Sequence, residues 1–216
     1  MGTSPAQAGN PFKRQARQLA KQRTEDNFDY AVVAPRLELS SSRAVNQHRW
    51  VPIVPGTDLS LSLAMLRWII ENARYNADYL AIPSENAMQS ANAVSFCNAT
   101  HLFIADPQHK RYGQALRVQD VVESPTSEKP EDGDILVKDQ QTGAMIAAKD
   151  SQSAVLFVEE MVTLKEGTSV LAKSALQLFK ESCFEHSIEQ YSAHCGVPVA
   201  TIIEKNLLHT DIVPQW

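Results

Sequence analysis

The stretch Trp50–Tyr75, WVPIVPGTDLSLSLAMLRWIIENARY, decides how this chain folds. Val51 to Val54 form an apolar run suited to a strand, Pro55-Gly56 breaks it, and Thr57 or Asp58 stands where a helix begins. Such side chains accept hydrogen bonds from the unpartnered amides of a first helical turn, and that helix end carries a partial positive charge that favours an anion. A strand that turns on glycine straight into a capped helix is therefore a place where a phosphate can rest. Along the helix, Leu59, Leu63, Leu66 and Ile70 share one face, and Leu61, Met65 and Trp68 occupy another. Apolar residues around most of the circumference predict a helix buried between layers, as in an open α/β sheet.

Towards the N-terminus, Tyr30 to Ala34 lacks polar alternation and predicts a strand buried on both faces, closed by Pro35-Arg36. Asn10-Pro11 joins an N-cap to a proline at the first helical position. Phe12, Ala16, Leu19 and Ala20 then face away from Lys13, Arg14, Arg17, Gln18 and Lys21, giving an amphipathic helix that ends near Thr24.

Towards the C-terminus, the central helix should fray near Asn76, and residues 81–99 read as a loop with a short helix in it. Thr100 to Ala105 is a further strand. Glu123 to Gly133, charged and proline-rich, predicts a mobile surface loop. From Ile135 to Lys173 the pattern changes to short strands at 135–137, 144–148, 154–158 and near Val170, with a turn at Gln140 to Gly143. Turn signals at this spacing predict a small antiparallel set inserted into the α/β body. Three helices follow: one from Ala175, one opened by Ser187 and closed at Cys195-Gly196, and one over Pro198 to Leu207.

At 216 residues and 44% hydrophobic, the chain can bury a core and is expected to make a single α/β domain over 1–216, with a β-rich insertion around 110–173. A net charge of −5 provides no basic footprint, which argues against nucleic acid as a partner. No run approaches the roughly 20 apolar residues of a membrane span, so direct membrane insertion is not expected. Met1-Gly2 followed at once by Thr3-Ser4-Pro5 reads as a chain cut just before a loop.

Cys97, Cys183 and Cys195 form no CxxC pair, which argues against a disulfide framework or a cysteine-rich zinc site. Cys183 and His186 share a helical face, but His194 and Cys195 point about 100° apart, so the four are not expected to hold a metal. There is no GxSxG, P-loop, GxGxxG or HExxH, and no catalytic residue is assigned.

In open parallel sheets, ligands bind beyond the carboxyl ends of the strands. Three loops qualify here: Gly2, Thr3, Ser4 and Pro5, if a strand precedes them; Pro35 and Arg36; and Gly56, Thr57 and Asp58. A Pro-Gly turn before Thr-Asp is also a common helix cap with no ligand at all, and Arg36 could equally be a surface ion-pair partner.

Taken together, these segments resemble a known family. Residues 50–80, WVPIVPGTDLSLSLAMLRWIIENARYNADYL, resemble a segment of the molybdopterin oxidoreductases, the DMSO reductase family. GTSPAQAGNPFKRQARQLA at 2–20 is similar to that family's glycine-containing loop before a helix, and YAVVAPRLELSSS at 30–42 to its strand and Pro-Arg turn. SIEQYSAHCGVPVATIIE at 187–204 is similar to its closing helices. With the strand-rich insertion, these features point to the tetrathionate reductase branch.

The resemblance implies a Rossmann-like three-layer fold: an open, mainly parallel sheet with the small antiparallel insertion and C-terminal helices. It implies an internal fragment of a catalytic subunit, inactive alone, that holds one guanine dinucleotide of a bis(molybdopterin guanine dinucleotide) molybdenum cofactor in the full-length protein. Gly2, Thr3, Ser4 and Pro5 would approach the nucleotide by backbone, Pro35 and Arg36 would flank its guanosine end, and Gly56, Thr57 and Asp58 would contact it beside the helix. No cofactor is expected in the fragment by itself. The implied partners are the remaining domains, together with iron–sulfur electron-transfer and membrane anchor subunits, in the periplasm. One departure stands out: Ala34 replaces the family's usual Asp before Pro-Arg, so either Ser40 to Ser42 or Asp58 substitutes, or nucleotide contacts are weaker. Two other readings remain, a non-catalytic α/β interaction domain and an independent flavodoxin-like nucleotide-binding protein.

Overall fold

The computed structural model describes residues 30–36, 48–121 and 134–203, together with Arg14, Arg17, Gln18 and Lys21, which are helical and exposed. The expected loop at 123–133, Gly2 to Pro5 and the end of the last helix lie outside the described residues. The chain divides into two compact units, one running to Arg74 and resuming at Cys183, the other covering Tyr75–Ser182. The strand-rich segment expected at 110–173 lies within the second unit.

The strands of the first unit among the described residues are β1 (Tyr30–Val33) and β2 (His48–Val51), paired parallel with Val33 opposite Val51. The strand expected at Val51–Val54 thus sits three residues earlier. Pro52 has no N–H to give to a ladder, and Val54 donates its amide to the Cys195 carbonyl oxygen at 3.0 Å, so the chain leaves the sheet at Val51. Helix α1 (Asp58–Glu71) follows.

Its burial is one-sided. Ser60, Leu61 and Ala64 are buried, Leu63, Leu66 and Ile70 only half-buried, and Leu59 is 70% exposed. The expectation of a helix covered all round therefore fails among the described residues: α1 turns its 57–60–61–64 stripe inward, the spacing of one helical face. It ends in a Schellman motif, with Arg74 N–H donating to Ile69 O at 2.9 Å and Ala73 N–H to Ile70 O at 3.2 Å. Ala73 holds the left-handed conformation at φ 49°.

The unit closes with α5 (Ile188–Cys195) and α6 (Val199–Ile203). Ser187 caps α5 by accepting from Gln190 N–H, and the Gln190 side chain accepts in turn from Ser187 N–H, a capping box. Gly196, at φ 72°, ends it as expected. Val51, Ile53, Leu61, Ala64, Tyr191, Cys195, Val197 and Ile202 form the core.

The second unit opens with two short helices, α2 (Ala77–Leu80) and α3 (Glu85–Ser90); α3 is the short helix expected within 81–99, and α2 precedes that stretch. Strand β3 (Leu102–Ile104), β6 (Glu159–Thr163) and β7 (Ser169–Ser174) form an antiparallel sheet in the order β3-β7-β6, and β4 (Leu136–Lys138) pairs antiparallel with β5 (Met145–Ala147). Adjacent residues of β4 point to opposite faces, so Leu136 joins the main core with Leu102 and Ile104, while Val137 joins a small cluster with Ala148 and Ala154. Helix α4 (Ala175–Cys183) follows β7 without a loop.

The strand expected at 154–158 is displaced to β6. A tight turn through Gly167, at φ 84°, pairs Thr163 with Ser169 and sets the hairpin register. The apolar run instead docks on one side chain: Ser174 Oγ donates to Leu156 O at 2.6 Å and accepts from Val158 N–H at 3.2 Å.

The composition is thus mixed α/β, as expected. Among the described residues the parallel pairing is confined to β1 and β2, and the two sheets of the second unit are antiparallel. No helix among them is long and apolar enough to cross a membrane.

Candidate functional site

Because β1 and β2 run parallel and in step, the loops that leave them start from one edge of the pair. After β1, Ala34 continues the pairing by donating its N–H to Val51 O at 3.2 Å, and Pro35 and Arg36 form an exposed bend. The Ala34 carbonyl is taken by Trp50, whose indole Nε1 donates to it at 2.9 Å.

After β2, Val54-Pro55-Gly56-Thr57 makes a tight turn. Thr57 N–H donates to Val54 O at 3.3 Å, and Gly56 takes φ 82°, the arrangement of a type II turn with glycine at its third position. A Cβ at Gly56 would meet nothing within 4 Å, so this side of the turn is open.

Thr57 does not cap the helix as expected. Its hydroxyl donates to Val54 O at 2.7 Å, closing the turn a second time, and α1 has no side-chain cap hydrogen bond. The reason is geometric: at φ −110°, ψ 20° Thr57 lacks the extended backbone that would swing its oxygen over the first-turn amides. Asp58, in the first turn, is exposed.

The end of α5 holds this loop from behind. Ser60 Oγ and His194 Nδ1 are hydrogen-bonded at 2.6 Å, beside the Val54–Cys195 backbone bond. These residues carry no motif. Ser60 and His194 lie 134 positions apart, and no spacing rule connects them.

Burial pushes the Cys183 thiol and the Tyr191 phenol above their usual ranges, so both remain neutral near pH 7. Of the other sequence candidates for a metal, His186 stacks edge-on against Tyr191, with ring centroids 5.5 Å apart. No group of three or more His, Cys, Asp and Glu among the described residues is placed to hold a metal ion.

The chain is 50% identical over 203 residues to the A-subunit of tetrathionate reductase from Salmonella typhimurium, covering 94% of this chain and 19% of that one. It is 34% identical over 155 residues to the A-subunit of tetrathionate reductase from Archaeoglobus fulgidus, and 32% identical over 169 residues to the A-subunit of selenate reductase from Mesobacillus selenatarsenatis, covering 72% and 77% of this chain and 12% and 15% of those. The chain belongs to the molybdopterin oxidoreductase family. No protein-family model matches it. It spans about a fifth or less of the length of these relatives.

As a molybdopterin oxidoreductase segment, the chain can be tested against the charged end of a nucleotide. The residues present fit: an open glycine turn, a first helical turn without a capping side chain, and an exposed arginine start from the same strand edge. Ala34 does not add to that fit, since its methyl group offers no acceptor for a hydroxyl. Gly2, Thr3, Ser4 and Pro5 lie outside the described residues.

Proposed function

We propose that this chain is a segment of the catalytic subunit of a sulfur-oxyanion reductase of the tetrathionate type, and that it holds the guanine dinucleotide end of a molybdopterin cofactor. The observation that carries this reading is the parallel register of β1 and β2, which starts the Arg36 bend and the Gly56 turn from one edge. Gly56 and the first-turn amides of α1 take a phosphate, Arg36 balances its charge, and Asp58 serves the ribose that Ala34 cannot. The cofactor, when bound, supplies the two-electron chemistry; this segment binds and orients it.

The same reading makes β1 and β2 two strands of a larger Rossmann-like parallel sheet completed by other residues. The segment alone is inactive. The remaining domains cover exposed apolar groups such as Leu59 and Val54, and electrons arrive through iron–sulfur and membrane anchor subunits in the periplasm.

The test is made in the full-length enzyme. Gly56→Val, Arg36→Ala and Asp58→Ala are purified and the guanine nucleotide released by acid is measured per mole of protein. Each should lose nucleotide, Gly56→Val most. Wild-type nucleotide content and activity in all three would refute the site.

A further inference from the structure

We infer that His194 is a positioning residue for the loop between β2 and α1, and that through Ser60 it sets the geometry in which that loop meets the nucleotide. The inference rests on the proposed function and adds a component to it. Three consecutive residues, His194, Cys195 and Gly196, grip the loop at both ends. Upstream of the Gly56 turn, the Cys195 carbonyl accepts from Val54 N–H at 3.0 Å, and Gly196 lies so close that a Cβ there would come within 3.1 Å of Val54 Cγ2. Downstream, His194 Nδ1 is bonded to Ser60 Oγ at 2.6 Å, in the first turn of α1.

The turn between these anchors has few means of holding itself. Its own hydrogen bonds run from Thr57 N–H and Oγ1 to a single oxygen, Val54 O, and no side chain caps α1. Val54 fixes where the turn starts, and Ser60 fixes the direction in which the first-turn amides point. A bond of 2.6 Å to a buried hydroxyl has a narrow angular tolerance, so His194 fixes the pitch of the helix entrance as well as its position.

The experiment uses the full-length enzyme and compares Ser60→Ala, His194→Ala, His194→Asn, the Ser60→Ala/His194→Ala double variant and Gly56→Val. Acid-released guanine nucleotide per mole of protein is read after extended dialysis, with circular dichroism and Tm alongside. His194→Ala and Ser60→Ala should each retain less than a third of the wild-type nucleotide, the double variant no less than either single one, and His194→Asn, whose amide can reach the Nδ1 position, should recover most of it. Loss in Gly56→Val with full retention in both Ser60→Ala and His194→Ala would overturn the positioning role and leave the proposed function standing. Full retention in Gly56→Val as well would overturn the inference and remove the glycine turn from the proposed site, and full retention in Arg36→Ala and Asp58→Ala besides would overturn the proposed function too. Ser60→Ala removes one oxygen from a position already packed and guards against a His194 variant that fails to fold. If nucleotide loss merely follows a fall in Tm, with no rescue by asparagine, the role is structural and the inference fails.

Discussion

Trp50 and Ala34 are joined by a hydrogen bond from the indole Nε1 to the Ala34 carbonyl oxygen, 2.9 Å long, across the parallel strand pair. The bond stands where β1 ends and ties its exit to the strand that leads into the glycine turn. Both exits are thereby held on one edge even though each loop carries almost no ladder of its own.

Trp50→Phe keeps an aromatic ring and removes the donor. Because the bond is exposed, the expected loss of stability is about 0.5–1 kcal/mol. Urea unfolding of wild type and variant gives the value; a loss above roughly twice that range would mean the indole holds more than Ala34.

Ala73 occupies the left-handed position of the Schellman motif at φ 49°, where glycine is the usual residue. Ala73→Gly relieves about 1 kcal/mol of strain and returns part of it through the greater freedom of the unfolded chain. The net expectation is a stabilisation of about 0.5 kcal/mol, seen as a small rise in Tm.

Gly196 and Gly56 both require positive φ, but their surroundings differ. An added Cβ meets open space at Gly56 and Val54 Cγ2 at 3.1 Å at Gly196. Gly56→Ala should cost about 1 kcal/mol from backbone strain, and Gly196→Ala more than that. Adding Val54→Ala to Gly196→Ala should recover the excess and leave the strain, which a double-mutant cycle separates.

In the second unit, Asp120 and Asp139 titrate below the ordinary aspartate range. Burial is the largest single influence and pushes both upward, but it is outweighed at Asp120 by the two-pronged Arg111 pair at 2.8 Å together with the Arg117 amide and the charges of both arginines, and at Asp139 by the combined hydrogen bonds from Ser151, Thr142 and the Gln141 amide. A depressed carboxylate contributes stability above its unfolded value, near pH ~4, and that stability is lost as pH falls through the folded value. The urea midpoint should therefore drop below about pH 4, and the drop should be shallower in Asp139→Asn. An unchanged acid profile in that variant would show that Asp139 is no more stabilised as an anion in the fold than out of it.

Much of the fold was legible where the signal is local. Ser187 with Gln190, Gly196 and the Pro55-Gly56 turn could be read because a cap or a turn is built from residues a few positions apart. The Thr57 cap failed for a local reason, its backbone at φ −110°, ψ 20°, but the errors in strand placement and helix burial have one cause in common. The strand at 51–54, the strand at 154–158 and the all-round burial of α1 each rest on apolar runs, yet a run says only that residues avoid water. Pro52 and the Gly167 turn decided which residues joined a ladder, and the distribution of neighbours decided which side of α1 was covered.

The sequence by itself determined that a strand turns on Gly56 into a helix, that Ser187 and Gly196 bound another, and, through residues shared with its relatives, the family. Only the tertiary structure decided that Ser60 meets His194 and that the Val54 amide finds the Cys195 carbonyl. The physical reason is separation along the chain: a turn or a cap closes within a few residues and leaves its mark in composition, whereas a bond spanning 134 positions exists only once packing has brought two helices together.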